Sequence, residues 1–349
     1  MGLAATPGRR LSVAVLGATG DAGVELVRLL SRHPSVELVF LSSEQYRGRR
    51  ASDVYPFLVG HVDVTLGAPD PAVAAGADVV FSALPHGASA PLVKEMVERG
   101  RPVIDISADF RLRDPAVYAR WYTTHPAPEL LSEAVYGLPE LHRAEIAGAR
   151  LVASPGCFPT GALLGLAPLA RQGLLVEPVI VDAKSGTTGA GRSAKVEQLF
   201  AEVNENCRAY AIAAHRHGPE IDQELHALGA VSGAVFVPHL IPVNRGILTT
   251  MYIRLRPGAP SLTGLFEAAY AREPFVVLTG EGPPPELRDV RGTNRCAIGW
   301  RVDERSGTAI VVTAIDNLGK GAAGQAVQCL NIMLGVAETT GLETPALVP

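Results

Sequence analysis

The stretch AVLGATGDAGVELVRLL, residues 14–30, limits the fold more than any other part of the chain. Upstream, LSVAVLG (11–17) is a short apolar run of the kind that forms a buried strand. Downstream, DAGVELVRLLSRH (21–33) places Val24, Val27 and Leu30 on one face of a predicted helix. Gly17, Gly20 and Gly23 fall in the turn between them. Gly17 permits the tight turn, Gly20 lets a backbone approach a pyrophosphate, and Gly23 allows helix and strand to pack closely. The helix start supplies N–H donors and a positive dipole end to an anion. A strand, a glycine turn and a helix in that order predict a dinucleotide-binding βαβ unit.

The same rhythm continues. VELVFLS, VDVTLG, ADVVFSAL and RPVIDIS read as further strands separated by helices or loops, which predicts a Rossmann-type, doubly wound parallel sheet. Beyond residue 157 strand-like runs follow one another instead: PVIVDAKSG, GAVFVPHLIPV, ILTTMYIRL, CAIGWRV and TAIVVTAID. Helical candidates at 159–171, 219–228 and 261–272 interrupt them, and 280–294 reads as a Pro-rich loop. This half is expected to be an α+β domain with a mostly antiparallel sheet. The chain is therefore predicted to be α/β, with a dinucleotide-binding domain at 1–154, an α+β catalytic and oligomerisation domain at 155–317, and a C-terminal helix within 318–349 completing the first.

Composition excludes several classes. With 349 residues, 47% hydrophobic and 19% charged, the chain can bury a large core and is neither disordered nor membrane-embedded. Its net charge of -4 comes without a basic patch, so nucleic acid is not an expected partner. No secretory signal is read at the start, and cysteines at 157, 207, 296 and 329 show neither CxxC spacing nor a metal-ligand cluster. Reduced thiols in the cytoplasm, no membrane and no metal are the expectation. MGLAAT matches a myristoylation pattern, but so short a match carries little information.

The cofactor is predicted from the end of the second strand. An NAD site usually offers a carboxylate there for the ribose 2′-hydroxyl. LVFLSSEQYRGRR offers Ser42 and Ser43, then Arg47, Arg49 and Arg50. Hydroxyls and guanidiniums suit a 2′-phosphate, so NADP(H) is preferred. Asp21 would repel a pyrophosphate, and its side chain is expected to point away.

PGCFPTG (155–161) sets Cys157 in a turn that opens the helix FPTGALLGLAPLA. Pro159 suits a first helical turn, where its missing N–H costs nothing. A thiol at a helix N-terminus is drawn toward the thiolate, the form that attacks acyl carbon. The other three cysteines read as small hydrophobes. AHRHGPEI supplies a proton partner: Pro219 opens a helix, so His217 stands just before a helix N-terminus that disfavours imidazolium. Glu220 lies within a turn of it and could orient it. His215 reads as structural.

With these pieces assembled, the chain resembles the N-acetyl-gamma-glutamyl-phosphate reductases of arginine biosynthesis nearly end to end. The resemblance rests on GATGDAG, SALPHG, DISADFRLRD, YGLPEL, SPGCFPTG, KSGTTGAGR, AHRHGPEI, PHLIPVNRGI and AIDNLGKGAAGQA in order. It implies a small-molecule substrate, N-acetyl-glutamyl 5-phosphate, with Cys157 as nucleophile, His217 as acid and base, and Glu220 as its partner. It adds Thr19, Ser82, Leu84 and Pro85 to the cofactor site and places Ser185, Gly186 and Asn317 at the nicotinamide end. Arg111 and Arg245 become candidates for a substrate anion. A homodimer or homotetramer is expected. Asp21 and Phe158 depart from the pattern, where relatives often carry an aromatic and a tyrosine; the second departure argues against a catalytic role at that position. A lysine-pathway reductase of carrier-bound aminoadipyl phosphate is the alternative within the same chemistry, and a non-catalytic NADP sensor the alternative outside it.

Overall fold

The computed structural model describes residues 9–192 and 195–347; the MGLAAT motif lies outside them. The chain divides into two compact units. One runs to Pro155 and takes in Ala322–Glu343; the other holds Gly156–Gly321 and the stretch from Thr344.

The first unit is built on a sheet of strands β1 (Leu11–Leu16), β2 (Val36–Leu41), β3 (Val79–Ser82), β4 (Val103–Asp105), β5 (Val135–Tyr136) and β6 (Leu151–Ala153). All its pairs are parallel, in the order β2-β1-β3-β4-β6-β5. Buried on both faces, β1 and β3 are nearly all apolar, as parallel strands under helices must be. The chain leaves β1 toward β2 on one side and returns through β3 on the other. The carboxyl ends of β1 and β3 therefore flank a topological switch point, where open α/β sheets form their ligand crevice.

VDVTLG is not a strand. It makes only isolated bridges, Ser42 with Gly67 and Arg50 with Thr65, because its backbone bonds are divided between residues 41–43 and 48–51. The last helix is also shorter than expected. It covers Gly324–Leu334 after a wide turn at Gly319–Ala323, and it returns to the first unit, packing on the helices Asp21–Leu30 and Pro139–Ala147. Residues 318–321 and those from 344 onward group with the second unit instead.

The second unit carries β7 (Val179–Ser185), β8 (Arg208–Ala209), β9 (Ala234–Leu240), β10 (Ile247–Arg254), β11 (Val276–Gly280), β12 (Cys296–Asp303) and β13 (Thr308–Ile315). The order is β11-β12-β13-β10-β7-β9-β8, antiparallel except for the pairs β11–β12 and β7–β9. The helix Cys157–Arg171 lies on one face, against β10 and β13. Every residue from Phe158 to Ala170 is buried, so this helix is apolar all round. Each fully buried leucine along it contributes roughly 1.5–3 kcal/mol relative to an exposed position.

Small residues set how closely that helix sits on the sheet. A Cβ on Gly165 would meet Met251 Cε at 2.4 Å, and one on Gly161 would meet Thr313 Oγ1 at 3.1 Å. Pro168 lies inside the helix and leaves the Leu164 carbonyl without its usual amide donor. The Tyr270 hydroxyl donates to that carbonyl at 2.7 Å and restores the bond. The helix that begins with Cys157 is thereby buried and held at a fixed depth.

Candidate active site

In the first unit, the three glycines of the opening motif have three different reasons to be glycine. Gly17 has φ +76°, and a Cβ there would meet the Ala83 carbonyl oxygen at 2.5 Å. At Gly23 a Cβ would meet the Gly17 carbonyl oxygen at 2.1 Å, so helix and turn touch backbone to backbone. Above Gly20 there is room, the nearest atom being 3.7 Å away. Gly20 also caps the helix Asp21–Leu30 without any side-chain bond, which leaves first-turn N–H groups for an anion. An unfilled space over an uncapped helix start fits a dinucleotide pyrophosphate.

Ser42 and Ser43 brace this loop from within. Both are buried. Ser42 Oγ accepts from Gly17 N at 2.9 Å; Ser43 Oγ pairs with Thr19 Oγ1 at 2.7 Å and accepts from Tyr46 N at 3.2 Å. Tyr55 OH donates to the Thr19 carbonyl at 2.9 Å. Of the three arginines that follow, Arg50 is paired with Asp63, and Arg49 donates to the Asp53 carbonyl and lies near the Tyr46 ring. Arg47 is exposed. Asp21 is half-buried at the first helical position.

Ser82, the last residue of β3, is buried; beyond it Leu84 is half-buried and Pro85 exposed. A Cβ on Gly17 would also meet Leu84 Cδ2 at 3.3 Å, so this turn borders the glycine loop. Beneath it lies a buried polar network. Ser82 Oγ meets Ser89 Oγ at 2.6 Å, and Ser89 Oγ donates to Asp105 Oδ1 at 2.6 Å. Burial lifts Asp105 to about 6; the hydroxyls of Ser107 and Ser89 pull against this, while the charge of Asp109 adds to it.

Arg111 does not present an open fork. It is 6% exposed, and it donates through Nε to the Ser154 carbonyl and through Nη2 to the Ile106 carbonyl, both at 2.7 Å. It ties the chain after β4 to the chain after β6, a placement that suits structure better than substrate recognition.

In the second unit, Cys157 is the first residue of its helix and is half-buried. Gly156 precedes it at φ -63° and ψ 150°, again with no side-chain cap on the helix. Two groups converge on that glycine. Its N–H donates to Glu220 Oε1 at 2.7 Å, and Glu220 is 1% exposed. A Cβ on it would meet His217 Nε2 at 2.6 Å, Cε1 at 2.8 Å and Cδ2 at 2.9 Å. The imidazole therefore lies flat against the backbone one residue before the thiol. Gly321 lies on Cys157 itself, where a Cβ would come within 2.9 Å of Cys157 Cβ.

His217 stands at the N-cap of the helix Gly218–Ala227, and Glu220 is in its first turn. The His217 N–H donates to His215 Nδ1 at 3.1 Å. Burial, with the Arg216 charge adding, pushes His215 down to about 4, so that ring stays neutral. His215 is a packing residue, with its ring centroid 5.4 Å from Phe158, 5.3 Å from Phe236 and 4.8 Å from His217. Phe158, at 3% exposure, fills the space beneath both histidines, which accounts for an aromatic ring without a hydroxyl. Among the described residues no group of three or more His, Cys, Asp or Glu is placed to hold a metal ion.

Ser185, Gly186, Arg245 and Asn317 interlock. Gly186 N donates to the Gly246 carbonyl at 2.9 Å, and a Cβ on Gly186 would meet the Val243 and Asn244 carbonyl oxygens at 2.8 Å. Asn317 Oδ1 accepts from Gly246 N at 2.7 Å, and its Nδ2 donates to Thr188 Oγ1 at 2.9 Å. Ser185 Oγ donates to the Gly186 carbonyl at 3.0 Å. Arg245 is paired with the buried Asp316 at 2.9 Å, whose carboxylate also receives the N–H groups of Gly292, Leu318 and Gly319. Three motifs far apart in sequence form one loop cluster. Tyr210 is a residue the sequence did not single out. Burial raises its phenol above the usual range, with the charge of Cys157 adding; nothing local in AYAIAAH signals this.

Two family models match the chain: the NAD binding domain of semialdehyde dehydrogenase over residues 12–149, and the semialdehyde dehydrogenase dimerisation domain over residues 157–317. The fold agrees. Aspartate semialdehyde dehydrogenase II of Vibrio cholerae, complexed with ASA, superposes with a TM-score of 0.73 at 20% identity, covering 94% of this chain and 99% of that one. The enzyme from Candida albicans, solved with NADP, gives 0.70 at 17% identity, covering 94% of this chain and 99% of that one. Sequence relatives narrow the class. N-acetyl-gamma-glutamyl-phosphate reductase of Heliobacterium modesticaldum is 50% identical over 97% of this chain and 100% of its own length. That of Geobacter sp. strain M21 is 51% identical over the same shares. The chain belongs to the N-acetyl-gamma-glutamyl-phosphate reductase family.

Proposed function

We propose that this protein reduces N-acetyl-glutamyl 5-phosphate to N-acetyl-glutamate 5-semialdehyde and phosphate through a thioester on Cys157. The observation that carries this reading is the His217 imidazole lying on Gly156, one residue before a cysteine that opens a buried helix. Cys157 Sγ forms a bond to the acyl carbon, and the carbon–oxygen bond to phosphate breaks. The uncapped N–H groups of the helix steady the oxyanion and the departing phosphate. Reduced NADP, when bound, supplies the hydride that a thioester accepts and a carboxylate does not. His217 delivers a proton to the resulting oxygen and takes it back as the carbon–sulfur bond breaks and the thiolate returns. Glu220 holds the Gly156 turn, and with it the helix start, beneath the imidazole.

Gly17, Gly20 and Gly23 are the proposed pyrophosphate site, and exposed Arg47 the partner of the 2′-phosphate. Assayed in the reverse direction with phosphate and N-acetyl-glutamate semialdehyde, the protein should turn over with NADP at far lower concentration than with NAD. The aminoadipate analogue should be the poorer substrate. Binding of NADPH without any thiol-dependent turnover would overturn the reading.

The cytoplasm suits four cysteines that form no disulfide with one another. Among the described residues no helix is long and apolar enough to cross a membrane. The partner is a second copy of the chain. On the sheet face away from the Cys157 helix, Tyr252, Ile180 and Val235 are cross-strand neighbours in one row, 38%, 47% and 52% exposed. An apolar row of that kind left exposed on a sheet face suits an association surface. Changing Ile180 and Val235 together to glutamate should convert the native oligomer to monomer in light scattering; an unchanged mass would place the interface elsewhere.

A further inference from the structure

The turn Leu84–Ala88 joins β3 to the helix Ser89–Glu98, and it is held from below at several points. Asp109, fully buried, does most of this. Its carboxylate accepts from Gly87 N at 2.8 and 3.0 Å, from Ala90 N at 3.0 Å and from Tyr118 OH at 2.8 Å. Its own N–H is bonded to Ser107 Oγ at 3.0 Å, and its carbonyl meets His125 Nε2 at 2.6 Å. Nearby, Ala108 N donates to His86 Nδ1 at 3.0 Å and Ser89 Oγ to Asp105. The turn above is one an unanchored chain would not keep: Gly87 has φ +80°, and Pro85, His86 and Ala88 are exposed. Its beginning borders the glycine loop at the switch point.

We infer that Asp109 is a positioning residue, fixing the Leu84–Ala88 turn as the second wall of the dinucleotide crevice. This rests on the reading of that crevice as the NADPH site. It acts through the two backbone amides it holds. Its effect falls on cofactor affinity, while the thiol chemistry of the other unit is left alone. A carboxylate suits this task because it presents only acceptors to three converging donors. In Asp109→Asn one acceptor oxygen becomes a donor and faces an N–H or O–H.

NADPH binding to the full chain, read by nicotinamide fluorescence, should weaken about tenfold or more in Asp109→Asn, as expected for a lost charged hydrogen bond. The Michaelis constant for NADPH should rise in step, with turnover at saturating cofactor and the rate of iodoacetamide labelling of Cys157 within about twofold of the parent. A folded Asp109→Asn with parental NADPH affinity would overturn the inference, as would an equal fall in turnover at saturating cofactor. Should that variant fail to fold, hydrogen exchange in the parent decides. The Gly87 and Ala90 amides should exchange slowly without cofactor, despite their surface turn, and exchange at unprotected rates would count against the proposal. Fluorescence reads the inference even if the acyl-phosphate substrate is wrong, so the two failures are told apart.

Discussion

Replacing Cys157 with serine is expected to reduce phosphate-dependent oxidation of the semialdehyde by on the order of a thousandfold or more. Serine keeps the shape of the helix start and the half-buried position, so the fold and NADPH affinity should be retained. What it lacks is acidity. A helix N-terminus can shift a thiol into its reactive anion near neutrality, but a hydroxyl begins far too high to follow. The decisive measurement is intact mass after exposure to the acyl phosphate without reduced cofactor. The parent should carry one acyl group on Cys157, and the serine variant none. Substantial activity in the variant, or no adduct in the parent, would end the covalent account.

The second large effect is expected from Gly156→Ala, a single added methyl. The backbone there, at φ -63° and ψ 150°, suits alanine, so no strain arises from the chain. The clash is with His217, whose Nε2, Cε1 and Cδ2 would all lie under 3.0 Å from the new carbon. The ring must turn or slide away. A misplacement near 1 Å at a reacting group costs roughly a hundredfold, so turnover should fall by about that factor with the thermal midpoint little changed. The limb of the pH–rate profile that belongs to His217 should flatten. In His217→Ala the obstacle is gone, and adding Gly156→Ala should then cost almost nothing, which a double-mutant cycle reads directly. Equal losses in both backgrounds would show that the methyl acts through something other than the imidazole.

Features decided within a few residues were legible in the sequence. The glycine turn was readable because strand, three glycines and helix follow one another within a few residues. The Cys157 helix was expected from 159 and starts at 157, because proline in a first turn is local information. β5 and β8, two residues each, are too short to show any period, and β11 was hidden by the Pro-rich stretch that follows it. VDVTLG carried the alternation of a strand but divides its backbone bonds between two segments, 41–43 and 48–51, which only the tertiary arrangement reveals.

At the site, residue types were readable but their partners were not. Arg245 and Asp316 are 71 positions apart, and Arg111 reaches a carbonyl 43 positions away. A sequence says that an arginine can bind an anion; it does not say whether a backbone carbonyl already occupies that arginine. The serines after β2 show the same limit, since nothing in LVFLSSEQ announces their bonds to Gly17 and Thr19.

The proline inside the Cys157 helix, with the Leu164 carbonyl it leaves stray answered by Tyr270, has a mechanical consequence. A nucleophile mounted on a surface loop can be tuned by letting the loop breathe. This one is the tip of a rod sunk in the domain interior and pinned halfway along, so whatever moves during the catalytic cycle must come to the sulfur.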